Sequence, residues 1–416
     1  MTAEIITVGN EILAGMVVNT NAAFIGERLT AIGCDVRRIS VVGDDVTAIA
    51  AALGTAMGRA SAVVVTGGLG PTNDDVTAEA VAAFFKTELV LDPGVMEKIE
   101  AAFRRMNRPM AASNRKQALI PGGAGIIDNP VGQAPGFSFS REGRLCFVLP
   151  GVPSEMKRML EDSVIPRLSQ AKGRTESRCL VLRTFGVPES DLCQKLAELP
   201  ARIPEVRLGF FPDATGVKIR LLVFGESPAL CEEQIRRAED FVRSRAGAWI
   251  YGSGEDTLES VLGGILTRRG WTLAAAESCT GGLLCHKLTN TPGSSAYFLR
   301  GVVAYSNGSK TDLLGVSPAT LRDHGAVSPE TAAAMADGIR KQAGSDLGLS
   351  TTGIAGPAGG TPRKPVGLVY IGYSDSRGTV TEKHLFPRDR GWHKERSACA
   401  ALDLARRKAL ELSFSS

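Results

Sequence analysis

The sequence predicts an α/β protein: two three-layer α/β/α domains with mainly parallel sheets, joined by a small α+β middle domain. Short apolar runs alternate with helically spaced segments in both the first and the last part of the chain, and in each part a glycine-rich loop follows an apolar run and opens a helix. The stretch between them has strand-like runs without that alternation. At roughly 100–200 residues per domain, 416 residues make two or three domains. With 44% hydrophobic and 22% charged residues the balance is that of an ordinary globular chain, and cores of this size need no disulfide or metal staple.

Taken in order, residues 4–8 (Ile5-Ile6-Thr7-Val8 at their centre) read as a strand. Residues 21–32 place Ile25, Leu29 and Ile32 at helical spacing and end at Gly33. Residues 35–42 are a strand, 45–59 a helix with Ile49, Leu53 and Met57 on one face, and 62–66 a strand. Strands separated by helices of this length form a parallel sheet with right-handed crossovers. A strand at 145–149 and a helix at 154–163 complete a first domain, 1–168. Residues 169–177 are polar and aperiodic, a linker. Residues 178–250, with strands at 180–185, 206–211 and 217–223 and a helix at 232–244, carry no chemical motif and read as a spacer or dimerisation module. A second linker is expected at 251–256. From Leu258 the strand–helix alternation resumes in a third domain, 256–416, with strands at 301–306, 347–350 and 381–386.

Composition excludes several function classes. A net charge of +4 and no basic run beyond Arg406-Arg407-Lys408, near a helix C-terminus, give no reason to expect nucleic acid as a partner. The opening Met1-Thr2-Ala3-Glu4 has no basic and apolar signal regions, and no apolar run nears the roughly 20 residues of a membrane span; a cytoplasmic protein is expected. The eight cysteines form no Cys-x-x-Cys pair, so reduced thiols without zinc are expected. All four histidines lie from His286 onward. Metal chemistry in the front part would therefore rest on oxygen ligands, which favour hard ions such as magnesium or manganese.

The front part carries Thr66-Gly67-Gly68-Leu69-Gly70-Pro71-Thr72-Asn73-Asp74-Asp75-Val76-Thr77. Glycines let backbone approach an oxyanion, and a helix N-terminus offers free N–H groups. Two adjacent carboxylates fit a metal ion bridging to phosphate oxygens; alternatively Asp74 or Asp75 caps the helix. Loops at other strand ends converge on the same place: Gly9-Asn10-Glu11 with Asn19 and Asn21; Asn114, Lys116 and Gln117; 129–136; and Pro150-Gly151 with Glu155. Lys116 is a candidate to neutralise a diphosphate.

These segments (9–13, 66–77, Lys116-Gln117 and 149–156) resemble the N-terminal domain of the CinA family, whose fold is like that of the molybdopterin-binding domains. The resemblance implies a divalent ion (magnesium, manganese or cobalt) held by Asp74, Asp75, Glu11 and Glu155. It also implies ADP-ribose as substrate, cleaved to AMP and ribose 5-phosphate, on Gly67, Gly68, Gly70, Pro71, Thr72, Asn21, Lys116, Pro150 and Gly151. A pterin-binding role stays open, because one fold serves both.

In the back part, Ala276-Glu277-Ser278-Cys279-Thr280-Gly281-Gly282 runs from a strand through a tight turn into a helix. A nucleophile there stands at the sheet's end beside free N–H groups. Ser278 is the candidate, and Cys279, a thiol at a helix N-terminus, the rival. Serine needs a base, and Lys310, just past a strand end, can serve if desolvation leaves its amine neutral. Tyr305 precedes it. A second glycine-rich loop, Thr351-Thr352-Gly353-Ile354-Ala355-Gly356-Pro357, can donate N–H groups, and Arg390 can fork onto a phosphate.

The segments 277–282, 292–295, 305–307, Lys310, 325–328, 352–357 and Asp389-Arg390 resemble the CinA C-terminal domain, the nicotinamide-nucleotide amidohydrolase family. The resemblance implies hydrolysis of nicotinamide mononucleotide to nicotinate mononucleotide and ammonia without a cofactor. Ser278 is then the nucleophile, Lys310 base and then acid, with Tyr305 beside them. Glu277, Cys279, Thr280, Gly281, Gly282, Thr352, Gly353, Ala355, Gly356 and Arg390 line the substrate. Members usually have an acidic residue and an alanine where this chain has Gly308 and Ser309. A homodimer is expected. The alternative is a non-catalytic binding protein of competence or DNA repair.

Overall fold

The computed structural model describes residues 1–171 and 176–411, in two compact units: Met1–Arg178 with Val223–Glu233, and Cys179–Leu222 with Gln234–Ser416. The strands, in chain order, are β1 (Thr2–Val8), β2 (Asp35–Val42), β3 (Ala62–Thr66), β4 (Leu89–Leu91), β5 (Leu119–Pro121), β6 (Gly125–Ile127), β7 (Gly136–Arg141), β8 (Arg144–Leu149), β9 (Glu176–Thr184), β10 (Val206–Asp213), β11 (Gly216–Gly225), β12 (Ile250–Ser253), β13 (Leu273–Glu277), β14 (Phe298–Val303), β15 (Leu347–Gly353), β16 (Leu368–Asp375) and β17 (Gly378–Leu385).

In the first unit the sheet order is β2-β1-β3-β8-β7-β6. The four strands β2, β1, β3 and β8 pair in parallel, and β7 and β6 add an antiparallel edge. Strand side chains alternate between faces. On β1 and β3, Ile6, Val8, Val63 and Val65 join one core with Ile49, Leu53 and Val81, while Ile5, Ala62 and Val64 join the other with Ile25, Leu29 and Met156. Both faces are covered, which is why these strands read as unbroken apolar runs. The expected helix 154–163 is the first half of a longer one: Pro153–Met159, a π-helical turn Leu160–Val164, then Ile165–Ala171. The expected linker 169–177 is therefore helix at its start and strand at its end, and its remainder, 172–175, lies outside the described residues.

In the second unit the sheet order is β14-β13-β15-β16-β17. Only β14, β13 and β15 are parallel; β16 and β17 fold back as antiparallel strands, so this sheet is mixed rather than mainly parallel. β13 alternates between two cores: Leu273 and Ala275 face helices Leu258–Arg269 and Arg390–Glu411, and Ala274 and Ala276 face Pro329–Ala343. The middle stretch forms a four-stranded sheet, β10-β11-β9-β12. The expected linker at 251–256 is thus strand in its first half: β12 pairs antiparallel with β9, and Tyr251 joins Phe185 in the core shared with Leu262 and Leu402. The expected strand 301–306 ends at Val303, because Ser306 caps the next helix.

Candidate active site

In the second unit, three small alanines let β13 run fully buried between β14 and β15, and the strand delivers Glu277 and Ser278 at its carboxyl end. Glu277 is fully buried. Its Oε2 accepts from the amides of Gly282 (2.9 Å) and Leu284 (3.1 Å), and its Oε1 from that of Cys285 (2.7 Å). This carboxylate satisfies the free N–H groups that open helix Leu283–Thr289. It holds the 278–282 turn from below, so Glu277 is a positioning residue and not the substrate contact expected of it. Gly281 (φ 60°) and Gly282 (φ 96°) take the left-handed conformations the turn requires. The Gly281 amide donates to Ser278 O (3.2 Å), and the Ser278 amide continues the β13–β15 ladder to Thr351 O (2.9 Å).

Lys310 lies not on a loop but in the first turns of helix Asn307–Leu314, whose N-cap is Ser306. Its side chain is 1% exposed. Nζ stands 3.1 Å from Ser278 Oγ, 2.8 Å from Ala304 O and 3.3 Å from Tyr305 O. No carboxylate among the described residues pairs with it. Desolvation by burial pushes its pKa below the ordinary lysine value, and the positive end of its own helix acts in the same direction. A neutral amine has two N–H groups, which the two carbonyls accept, and one lone pair, which is left for the Ser278 hydroxyl.

Cys279 is buried, and desolvation drives its thiol up to about 12, so it stays protonated and is no rival nucleophile. The amides of Cys279 and Thr280 have no acceptor among the described residues, which leaves two adjacent N–H donors beside Ser278. The side chains of Thr280 and Thr352 are committed elsewhere: Thr280 Oγ1 to Thr351 Oγ1 (2.6 Å), and Thr352 Oγ1 to Ala326 O (2.6 Å). Both position loops rather than offer hydroxyls to a ligand. Gly353 ends β15, and Ala355 and Gly356 follow it. Arg390 donates to Gly356 O (2.8 Å) and to Tyr305 Oη (3.3 Å), which ties this loop to Tyr305, 63% exposed. The sequence did not single out the Ala304 carbonyl or Lys394, whose Nζ approaches Gly281.

In the first unit, the loops after β1, β3 and β8 enclose a cavity of about 1010 Å³. Asn21, Gly67, Gly68, Gly70, Pro71, Thr72, Pro150 and Gly151 line it, with Glu11, Asp74, Asp75 and Glu155. Lys116 does not; it pairs with Glu79 (3.1 Å) and donates to Thr72 O (3.3 Å). It braces the loop from a smaller adjoining cavity that it lines with Gly68, Gly70 and Asp75. Neither Asp74 nor Asp75 caps helix Thr77–Phe85, where Val76 holds the N-cap position. Asp75 Oδ2 accepts from Thr72 N (2.9 Å) and Thr72 Oγ1 (2.6 Å), and Glu155 accepts from Asn129 Nδ2 (2.6 Å). Glu11 and Asp74 pair with no cation among the described residues. No three acidic or imidazole side chains there gather into a metal cage. The open carboxylates fit an ion of the magnesium type, which takes one or two protein ligands and completes its shell with water and phosphate.

Over 98% of its length, covering 99% of the relative, the chain is 44% identical to a CinA-like protein of Salinibacter ruber. The chain belongs to the CinA family. It is also 45% identical to a putative competence-damage inducible protein of Moorella thermoacetica, over 97% of this chain and 98% of the other. Within the family, the CinA C-terminal domain matches residues 255–409, which include Ser278 and Lys310. A probable molybdopterin-binding domain matches 4–170 and the damage-inducible protein CinA KH domain 180–252. A crystal structure of CinA, of unknown function, from Thermoplasma acidophilum is 41% identical over 40% of this chain and 97% of that one, with a TM-score of 0.38. No helix among the described residues is long and apolar enough to cross a membrane.

Proposed function

We propose that the second unit hydrolyses the carboxamide of nicotinamide mononucleotide. The observation that carries the reading is the buried, carboxylate-free Lys310 amine within hydrogen-bond reach of Ser278 Oγ. The resemblance to the amidohydrolase family supplies the substrate. Lys310 Nζ takes the Ser278 proton as Oγ bonds to the carboxamide carbon. The carbonyl oxygen becomes an oxyanion facing the Cys279 and Thr280 amides. Lys310 returns its proton to the departing nitrogen, the C–N bond breaks, and ammonia leaves an acyl ester on Ser278. Water, deprotonated by Lys310, attacks that ester; nicotinate mononucleotide departs and Ser278 regains its proton. Ammonia release by the purified protein, absent in Ser278→Ala, tests the assignment; a wild-type protein that releases none overturns it.

The first unit supports a second reading, cleavage of ADP-ribose to AMP and ribose 5-phosphate. A wide cavity walled by glycine backbone and carrying unpaired Glu11 and Asp74 suits a diphosphate with a divalent ion. Those two carboxylates would hold the ion, with Asp75 and Glu155 lining the same cavity. When bound, the ion supplies charge neutralisation for the diphosphate. AMP formation from ADP-ribose that requires magnesium, manganese or cobalt tests this. Binding of a pterin with no cleavage of ADP-ribose would replace it.

A further inference from the structure

From the surroundings of Lys394 we infer that this residue reads the phosphate of the nucleotide in the second unit and so selects nucleotide over nucleoside. The inference rests on the deamidase reading of that site. Lys394 lies one turn beyond Arg390 on helix Arg390–Glu411. Its Nζ is 3.5 Å from where a Cβ on Gly281 would stand. Gly281 closes the turn that begins at Ser278, through its amide to Ser278 O. The ends of such a turn are less than about 7 Å apart, which keeps the ammonium within roughly 14 Å of the nucleophile. That range includes the separation between a reacting ring substituent and the phosphate of a ribose 5-phosphate.

Charge points the same way. Lys394 is half-buried and forms no ion pair among the described residues. The acidic side chains of the elements that meet here are engaged: Glu277 with three amides, Glu395 with Lys287, and Asp389 Oδ1 with the Trp392 amide (2.9 Å). Arg390, the neighbouring cation, spends its guanidinium on Gly356 O and Tyr305 Oη, neither of them an anion. Two cations on consecutive turns therefore stand beside the Ser278 turn and the Tyr305 hydroxyl with no ion-pair partner among the described residues. Such an arrangement disfavours the free protein and favours a bound anion. The Cys279 and Thr280 amides serve the oxyanion at the other end of the substrate, so Lys394 is left for the remote phosphate.

The test compares ammonia release from nicotinamide mononucleotide and from nicotinamide riboside, in wild type, Lys394→Ala and Lys394→Arg. Loss of one charge-assisted contact raises KM for the nucleotide about 10- to 100-fold in Lys394→Ala, with kcat far less affected, and leaves the riboside nearly unchanged. Lys394→Arg recovers most of the affinity. Equal losses on both substrates, or no change with the nucleotide, overturn the inference. A separate binding arm uses calorimetry with nicotinamide mononucleotide on Ser278→Ala, with and without Lys394→Ala. Should wild type release no ammonia from either compound, the deamidase reading fails, and this arm still decides whether Lys394 holds the phosphate: equal affinity in the two proteins rejects it.

Discussion

The Lys310 amine stands 3.1 Å from the Ser278 hydroxyl, and its other two contacts are main-chain carbonyls rather than carboxylates. A lysine with a carboxylate partner would keep its proton. Here burial removes water and nothing negative replaces it, so the arrangement favours the neutral base. If the second unit is a deamidase, Ser278→Ala lowers its kcat at least about a thousand-fold, because the nucleophile of a covalent mechanism has no substitute. Cys279→Ala keeps most of the activity, since its protonated thiol takes no part while its amide remains. Steady-state ammonia assays of the two variants check both outcomes; activity that followed Cys279 would reverse the assignment.

Lys310 also sets a pH dependence. Its folded pKa lies below the ordinary 10.5, so the folded protein binds this proton less readily than the unfolded chain. Stability from this group is therefore lowest at pH values below the folded pKa and rises with pH until the unfolded value is passed. Deamidase kcat should rise in the same sense, as the neutral amine is populated. Lys310→Met abolishes activity yet melts at a higher temperature than wild type near neutrality, and that advantage shrinks toward pH 10. Melting curves over pH 6–10 read the difference.

Glu277 is the hidden support of the site. Its carboxylate answers three amides at the start of helix Leu283–Thr289. Glu277→Ala leaves those donors buried and unpaired and costs about 2–4 kcal/mol of stability. Glu277→Gln keeps the shape but offers one acceptor oxygen in place of two, and costs less. Under the deamidase reading both lower kcat, because the turn carrying Ser278 and the Cys279 and Thr280 amides loosens. Chemical denaturation and kcat should rank the variants wild type, Gln, Ala; an unchanged Ala variant would mean the carboxylate does not hold the turn.

Much of this was legible in the sequence, and the failures have physical causes. The buried parallel strands announce themselves as apolar runs such as Val63-Val64-Val65, and the turns as Gly-Gly pairs. Ser278 and Lys310 could be paired from the motifs, but not the carbonyls that hold the amine, because main-chain acceptors leave no mark in side-chain identity. Glu277 and Thr352 were read as ligand contacts because they sit in motif loops; in the fold their polar atoms are spent on amides and on Ala326 O. The pairing of Lys116 with Glu79, in the helix that the 66–77 loop opens, is equally invisible in the sequence, because the two residues lie far apart along the chain. Tyr251 reads as linker because glycines follow it, and only the pairing of its neighbours Ile250 and Gly252 with β9 shows the segment to be strand.

The front cavity depends on two glycines whose replacement separates loop geometry from ligand chemistry. At Gly67 (φ 110°) a Cβ would stand 2.2 Å from the Val8 carbonyl, and at Gly68 (φ 68°) 2.2 Å from Thr77 Oγ1. The first obstacle is backbone that cannot turn aside; the second is a hydroxyl already donating to Gly67 O (2.8 Å). Gly67→Ala therefore destabilises the first unit by about 3 kcal/mol or more, through both contact and conformation. Asp74→Asn, on an exposed carboxylate with no partner among the described residues, leaves stability within about 0.5 kcal/mol. If ADP-ribose is the substrate, the two variants lose AMP formation for different reasons: Gly67→Ala together with its fold, Asp74→Asn with its fold intact and a weaker response to added magnesium or manganese. Thermal melting beside a metal titration of AMP release distinguishes them, and an Asp74→Asn protein with the wild-type metal response would remove that carboxylate from the site.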